Sequence, residues 1–126
     1  MRYRTPIKGA LGLGSAKDGV HHWWMQRLTA IAMVPLVLWF SFSLISYAGA
    51  DYEVVRAWIG SPLVAVLLVV LIASVFYHAQ LGLQVVIEDY VHLEWLRIAS
   101  IVLMKFATVL LALAGILAVL RIALGA

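Results

Sequence analysis

One histidine in this chain stands at a depth where ionisable side chains are costly. His78 lies within an apolar run from Pro62 to Ile87, 16 positions past its start and 11 before Asp89. At helical rise that is about 16 Å from the polar residues closing the run, near mid-membrane if the run spans a bilayer. Ionisable groups so deep serve a pathway or a ligand, or they hydrogen-bond a neighbouring helix. An imidazole inside a helix bundle is also a natural axial donor to haem iron. Ser74, Gly82, Val85 and Asp89 fall within about 40° of His78 around the helix, and Gly82 leaves room for a flat macrocycle one turn away. The other histidines, His21, His22 and His92, lie beside polar segments. A haem with two histidine ligands would therefore take its second ligand from another chain. On the residues alone, helix bridging and axial ligation both stay open.

Two more groups could do chemistry. Asp89 and Tyr90 close the apolar run, where a phenol can donate a hydrogen bond to a carbonyl and a carboxylate can relay protons. The same residues are also ordinary at a membrane–water boundary. Earlier in the chain, His21, His22, Trp23, Trp24 and Arg27 form an amphipathic entry to another apolar run. The tryptophans suit an interfacial anchor and Arg27 an inner-side cation, while beside a haem Arg27 and His21 would meet its propionates. Cysteine is absent, which excludes disulfides, thiolate metal sites, iron–sulfur clusters of the usual kind and a cysteine nucleophile. Any redox group would have to use histidine.

The elements that position these residues follow from composition. Of the 126 residues, 65% are hydrophobic and 12% charged, with a mean hydropathy of +1.04; soluble domains carry about 25% charge. A soluble globule is excluded, and the length accommodates a small all-α membrane protein of three spans, part of a larger helical bundle. The apolar runs place those spans at about 28–47, 62–87 and 97–121. Residues 1–27, polar and containing Pro6 and several glycines, read as an irregular arm outside the bilayer. Asp51 to Ser61 and Glu88 to Arg97 read as connections, and Pro62 suits the first turn of a helix. Ala48-Gly49-Ala50 resembles a signal-cleavage pattern, but the preceding polar and apolar stretches are both longer than a signal peptide's. Lys105, about 12 Å past Arg97 at helical rise, snorkels or faces a partner helix.

The net charge of +3 comes without a basic run, so it reports topology and not a nucleic-acid partner. Arg2, Arg4, Lys8, Lys17, Arg27 and Arg97 fall on one side of a three-span chain, and only Arg56 and Arg121 on the other. This asymmetry predicts a cytoplasmic N-terminus, with the Glu88 to Arg97 connection on the same side.

Several residue groups together resemble a known family. They are Gly19-Val20-His21, then Arg27, Thr29 and Ala30, and across the second span His78-Ala79, Gly82 and Asp89-Tyr90-Val91. They are similar to the small hydrophobic membrane-anchor subunit of succinate dehydrogenase (respiratory complex II), the subunit lettered D. The most specific element is a histidine followed 11 and 12 positions later by Asp-Tyr. The resemblance implies that His78 is an axial ligand of haem b, the opposite ligand coming from a second hydrophobic anchor subunit. It implies that Tyr90 hydrogen-bonds ubiquinone, that Asp89 borders the quinone pocket, and that His21 and Arg27 lie near the haem propionates. It further implies a chain without residues for succinate oxidation, holding a flavoprotein and an iron–sulfur subunit to a bacterial inner membrane or an equivalent energy-transducing membrane. A fumarate reductase anchor and a haem-free structural membrane protein are the alternatives. His22 and Lys105 depart from the family pattern and carry no role from it.

Overall fold

The computed structural model describes residues 15–125, which form four helices: α1 (Ser15–Tyr47), α2 (Tyr52–Gly60), α3 (Pro62–Tyr90) and α4 (Glu94–Ala123). Three of them are long and apolar enough to cross a membrane, as the apolar runs predict, and the described residues contain no strand. Residues 1–14 of the expected arm, with Arg2, Arg4 and Lys8, lie outside the described residues.

The helices overrun the expected spans at their polar ends. α1 has 33 residues, about 50 Å at helical rise, against a hydrocarbon core of about 30 Å. Residues 15–27 are therefore helix and not irregular arm. Extending a helix already nucleated by an apolar span adds a hydrogen bond per residue without a new nucleation cost, and this outweighs Gly19 and the polar side chains. The same holds at Glu88 to Arg97, where only residues 91–93 separate α3 from α4. Pro35 is accommodated inside α1, and Pro62 occupies the first turn of α3 as expected.

The segment read as a connection at Asp51 to Ser61 is largely the helix α2. Its half-buried residues Val55, Trp58 and Ile59 recur at the spacing of one helical face. Trp58 stacks on Tyr47, with ring centroids 4.8 Å apart, and lies 6.0 Å from Trp39. Gly49, at φ +80°, adopts the left-handed conformation that ends α1 and turns the chain into α2.

α3 is central and packs against α1 on one side and α4 on the other. Ala65 and Leu68 of α3 are buried against Val119 of α4, with Trp39, Phe40 and Ile72 around them. Few other side chains are buried, and large apolar residues along all three long helices stay exposed. Such a surface is suited to lipid or to further protein. We call the end where α1 begins, α3 ends and α4 begins the proximal end.

Candidate functional site

A cross-helix hydrogen bond sets the register of α1 against α3: Thr29 Oγ1 and His78 Nδ1 are 3.1 Å apart. The threonine also bonds its own helix, with Oγ1 2.8 Å from the Met25 carbonyl oxygen and 3.1 Å from that of Gln26. His78 lines a cleft of about 450 Å³ whose other walls, Ala30, Met33, Val34, Val37 and Leu38, all come from α1. The cleft lies within the range of about 300–1,000 Å³ usual for cofactor pockets, and its walls are apolar apart from the imidazole.

From the level of Thr29 and His78, helical rise places the other residues singled out in the sequence. Arg27 lies about 3 Å toward the proximal end and His21 about 12 Å, with Asp89 and Tyr90 at about 16 and 18 Å. At 100° per residue, Trp23, Arg27, Ala30, Val34 and Leu38 form one stripe on α1, and His21 lies roughly 150° away from it. The Arg27 guanidinium sits 4.9 Å from the centroid of the Trp23 ring, a cation–π contact along this stripe. Arg27 shares this face with Ala30, Val34 and Leu38 of the cleft without lining it, and His21 stands on another face of α1. Asp89 shares the His78 face of α3 but stands at the proximal end, and Tyr90 beside it is 77% exposed. A second cleft, of about 540 Å³, lies farther along α1 against Gly19, Val20, Trp23 and Trp24.

This donor set suits a haem. One nitrogen of His78 is engaged by Thr29, while the other has no hydrogen-bond partner among the described residues. A Cβ built at Gly82 would meet no atom within 4 Å, so the surface one turn from His78 is open. In such a site His78 would be the residue to ligate the iron. No cluster of three or more His, Cys, Asp or Glu side chains occurs among the described residues.

The profile of the succinate dehydrogenase/fumarate reductase transmembrane subunit matches residues 1–112. The chain belongs to this family. It is 37% identical over 117 residues to the succinate dehydrogenase hydrophobic membrane anchor subunit of Rickettsia bellii, covering 93% of this chain and 94% of that one. It is 32% identical over 126 residues to the subunit of the same name from Paracoccus denitrificans, covering 100% and 97%. With the membrane anchor subunit of Reclinomonas americana it shares 36% identity over 92 residues, covering 71% and 77%. The family resemblance read from Arg27, His78 and Asp89-Tyr90 is borne out, and the anchor is a multi-pass membrane chain.

Residue-level reading missed the pairing of Thr29 with His78 and the α1 residues that wall the cleft. Thr29 was legible only as part of the pattern with Arg27 and Ala30. Its partner lies 49 positions away, and one sequence contains no measure of interhelical register.

Proposed function

We propose that this anchor holds one haem b between itself and a second hydrophobic subunit, and that it contributes to the ubiquinone-reduction site of succinate dehydrogenase. The observation that carries the reading is His78: at mid-span, beside an apolar cleft, with one ring nitrogen engaged by Thr29 and the other uncommitted. A haem bound there supplies a one-electron carrier within the membrane. His78 would hold the group through a ring nitrogen, Arg27 would neutralise a propionate, and the apolar α1 wall would limit water around it. Helix bridging by His78 is compatible with this role, because bridging uses Nδ1 and ligation uses Nε2.

At the proximal end, Tyr90 donates a hydrogen bond to a quinone carbonyl, and Asp89 delivers the protons that accompany two electrons. The iron–sulfur and flavoprotein subunits dock on this end, on the cytoplasmic side of a bacterial inner membrane or its equivalent. The fumarate reductase alternative shares the same family profile, but the relatives described above are named for succinate dehydrogenase, which favours that direction.

The test is to purify the chain with its co-purifying subunits under mild detergent and record a reduced-minus-oxidised spectrum. The low-spin b-type signal should be present and should be lost or shifted in His78→Leu. An unchanged spectrum in a fully assembled His78→Leu complex excludes His78 as a ligand. Tyr90→Phe should keep that spectrum and succinate oxidation by an artificial acceptor, yet lower ubiquinone reduction several-fold. The deleted bond is worth about 0.5–1.5 kcal/mol, and misorientation of the quinone adds to the loss. A wild-type rate at all quinone concentrations would make Tyr90 only an interfacial anchor.

A further inference from the structure

Thr29 Oγ1 has three neighbours at hydrogen-bond distance but only one proton to donate. Two of them, the carbonyl oxygens of Met25 and Gln26 at 2.8 and 3.1 Å, can only accept. The third, His78 Nδ1 at 3.1 Å, accepts or donates according to its tautomer. If the hydroxyl proton went to Nδ1, the cluster would hold one hydrogen bond, and two oxygens would face each other at 2.8 Å with no proton between them. If it goes to the helix carbonyls, Nδ1–H donates to Oγ1 and the cluster holds two hydrogen bonds. The second arrangement satisfies more of the cluster's donors and acceptors, and it wins.

We propose that Thr29 is a positioning residue for the haem ligand: its back-bonded hydroxyl holds His78 as the Nδ1–H tautomer and so keeps the Nε2 lone pair free for iron. The proposal rests on the haem reading above and names a residue of this chain that acts through His78. A β-branched side chain tied to its own i−4 carbonyl has a fixed χ1, so the acceptor that orients the imidazole is anchored to the frame of α1. The hydroxyl's own donation to a carbonyl polarises Oγ1 and strengthens the bond it receives. Ligating histidines commonly donate their other N–H to an acceptor that fixes the tautomer and raises ligand basicity. Here a neutral hydroxyl fills that place, giving orientation together with a modest gain in donor strength.

The experiment is a redox titration and a low-spin ferric electron paramagnetic resonance spectrum on the purified complex with Thr29→Val, Thr29→Ser and His78→Leu. Thr29→Val keeps the shape of the side chain and deletes the acceptor. A less basic Nε2 then favours the ferric state less, and the haem midpoint potential should rise. The expected rise is a fraction of the about 59 mV that a tenfold change in a one-electron equilibrium produces. The resonance g-values should also move as the imidazole plane loosens. Thr29→Ser, which keeps the hydroxyl, should restore both. Loss of haem from an otherwise assembled Thr29→Val complex, with haem retained in Thr29→Ser, also supports the proposal. An unchanged potential and spectrum in Thr29→Val overturns it, as does an equal change in the valine and serine variants, which would trace the effect to general disturbance of the α1–α3 packing and not to the hydroxyl. If His78→Leu keeps the wild-type spectrum, the haem reading itself fails and takes this proposal with it. That result is separable from a silent Thr29→Val in a complex whose His78→Leu variant loses its haem.

Discussion

The two faces of α3 are built differently. Toward α4 the seam is closed: Gly115 brings the α4 backbone close to Ile72, a Cβ there meeting Ile72 Cδ1 at 3.4 Å. Val119 is buried against Ala65 and Leu68, and the cleft that remains is about 180 Å³. Toward α1 the seam is loose, with clefts of about 450 Å³ beside His78 and about 310 Å³ around Phe40 and Leu71. Each seam has one threonine with the same local habit. Thr108 Oγ1 bonds the carbonyls of Met104 and Lys105 at 2.9 and 3.1 Å, much as Thr29 bonds those of Met25 and Gln26. Only Thr29 has a partner on another helix. One seam therefore holds the chain together through small residues and close packing, while the other combines space, a polar pair and a free imidazole nitrogen. On the proposed haem reading, that division separates a closely packed seam from one with room for a cofactor.

The largest effect should come from filling the loose seam. Val34→Trp puts an indole into the cleft that His78 lines, and the haem spectrum of the purified complex should be lost while the extrinsic subunits still co-purify. Full haem content in that variant would mean that the cleft is not where the group sits. A smaller effect is expected from overfilling the tight seam. Gly115→Leu drives a branched side chain into Ile72, and such overpacking costs about 1–3 kcal/mol, which thermal denaturation of the detergent-solubilised complex should register. Gly115→Ala should be neutral to stabilising, since a methyl group just reaches contact and removes the helical penalty of glycine, about 1 kcal/mol. Equal stability of the leucine variant would show that the α3–α4 seam is no tighter than its counterpart.

How much of this division was legible in the sequence depends on range. The three spans and Pro62 at the start of α3 are local features, carried by apolar run length and the fixed φ of proline, and they were read correctly. His78, Asp89 and Tyr90 were also visible, because an ionisable group deep in an apolar run is conspicuous at any register. The helical continuation through residues 15–27 was missed because local polarity and Gly19 argue against a helix that the adjoining span has already nucleated. α2 was missed although Val55, Trp58 and Ile59 carry the one-face spacing, its brevity hiding a period that the stacking on Tyr47 and Trp39 makes stable. The Thr29 pairing and the unequal seams were not legible at all. They depend on which faces of α1 and α4 meet α3, and three nearly all-apolar helices leave that choice to packing detail.

The smallest effect should come from Thr108, which serves as an internal control for Thr29. Thr108 is buried between α3 and α4, lining the small cleft with Tyr77 and Gln80, yet its hydroxyl reaches only carbonyls of its own helix. Those carbonyls keep their backbone N–H partners when the hydroxyl is removed, and valine reproduces the shape of threonine. Back-bonding by threonine slightly destabilises and bends helices, so its loss brings a small gain against the lost bond. The stability of the complex should therefore change by no more than about 0.5 kcal/mol, the usual scatter for substitutions that touch no special feature. Thr29→Val removes a true interhelical bond, for which membrane proteins average about 0.6 kcal/mol and reach about 1.7 kcal/mol, so the stability difference between the two variants is modest. The haem potential discriminates better: Thr108→Val should leave it at the wild-type value, because nothing connects Thr108 to His78. If Thr108→Val moves the potential as far as Thr29→Val does, the response reflects general loosening of the bundle, and the distinction between the two faces of α3 fails.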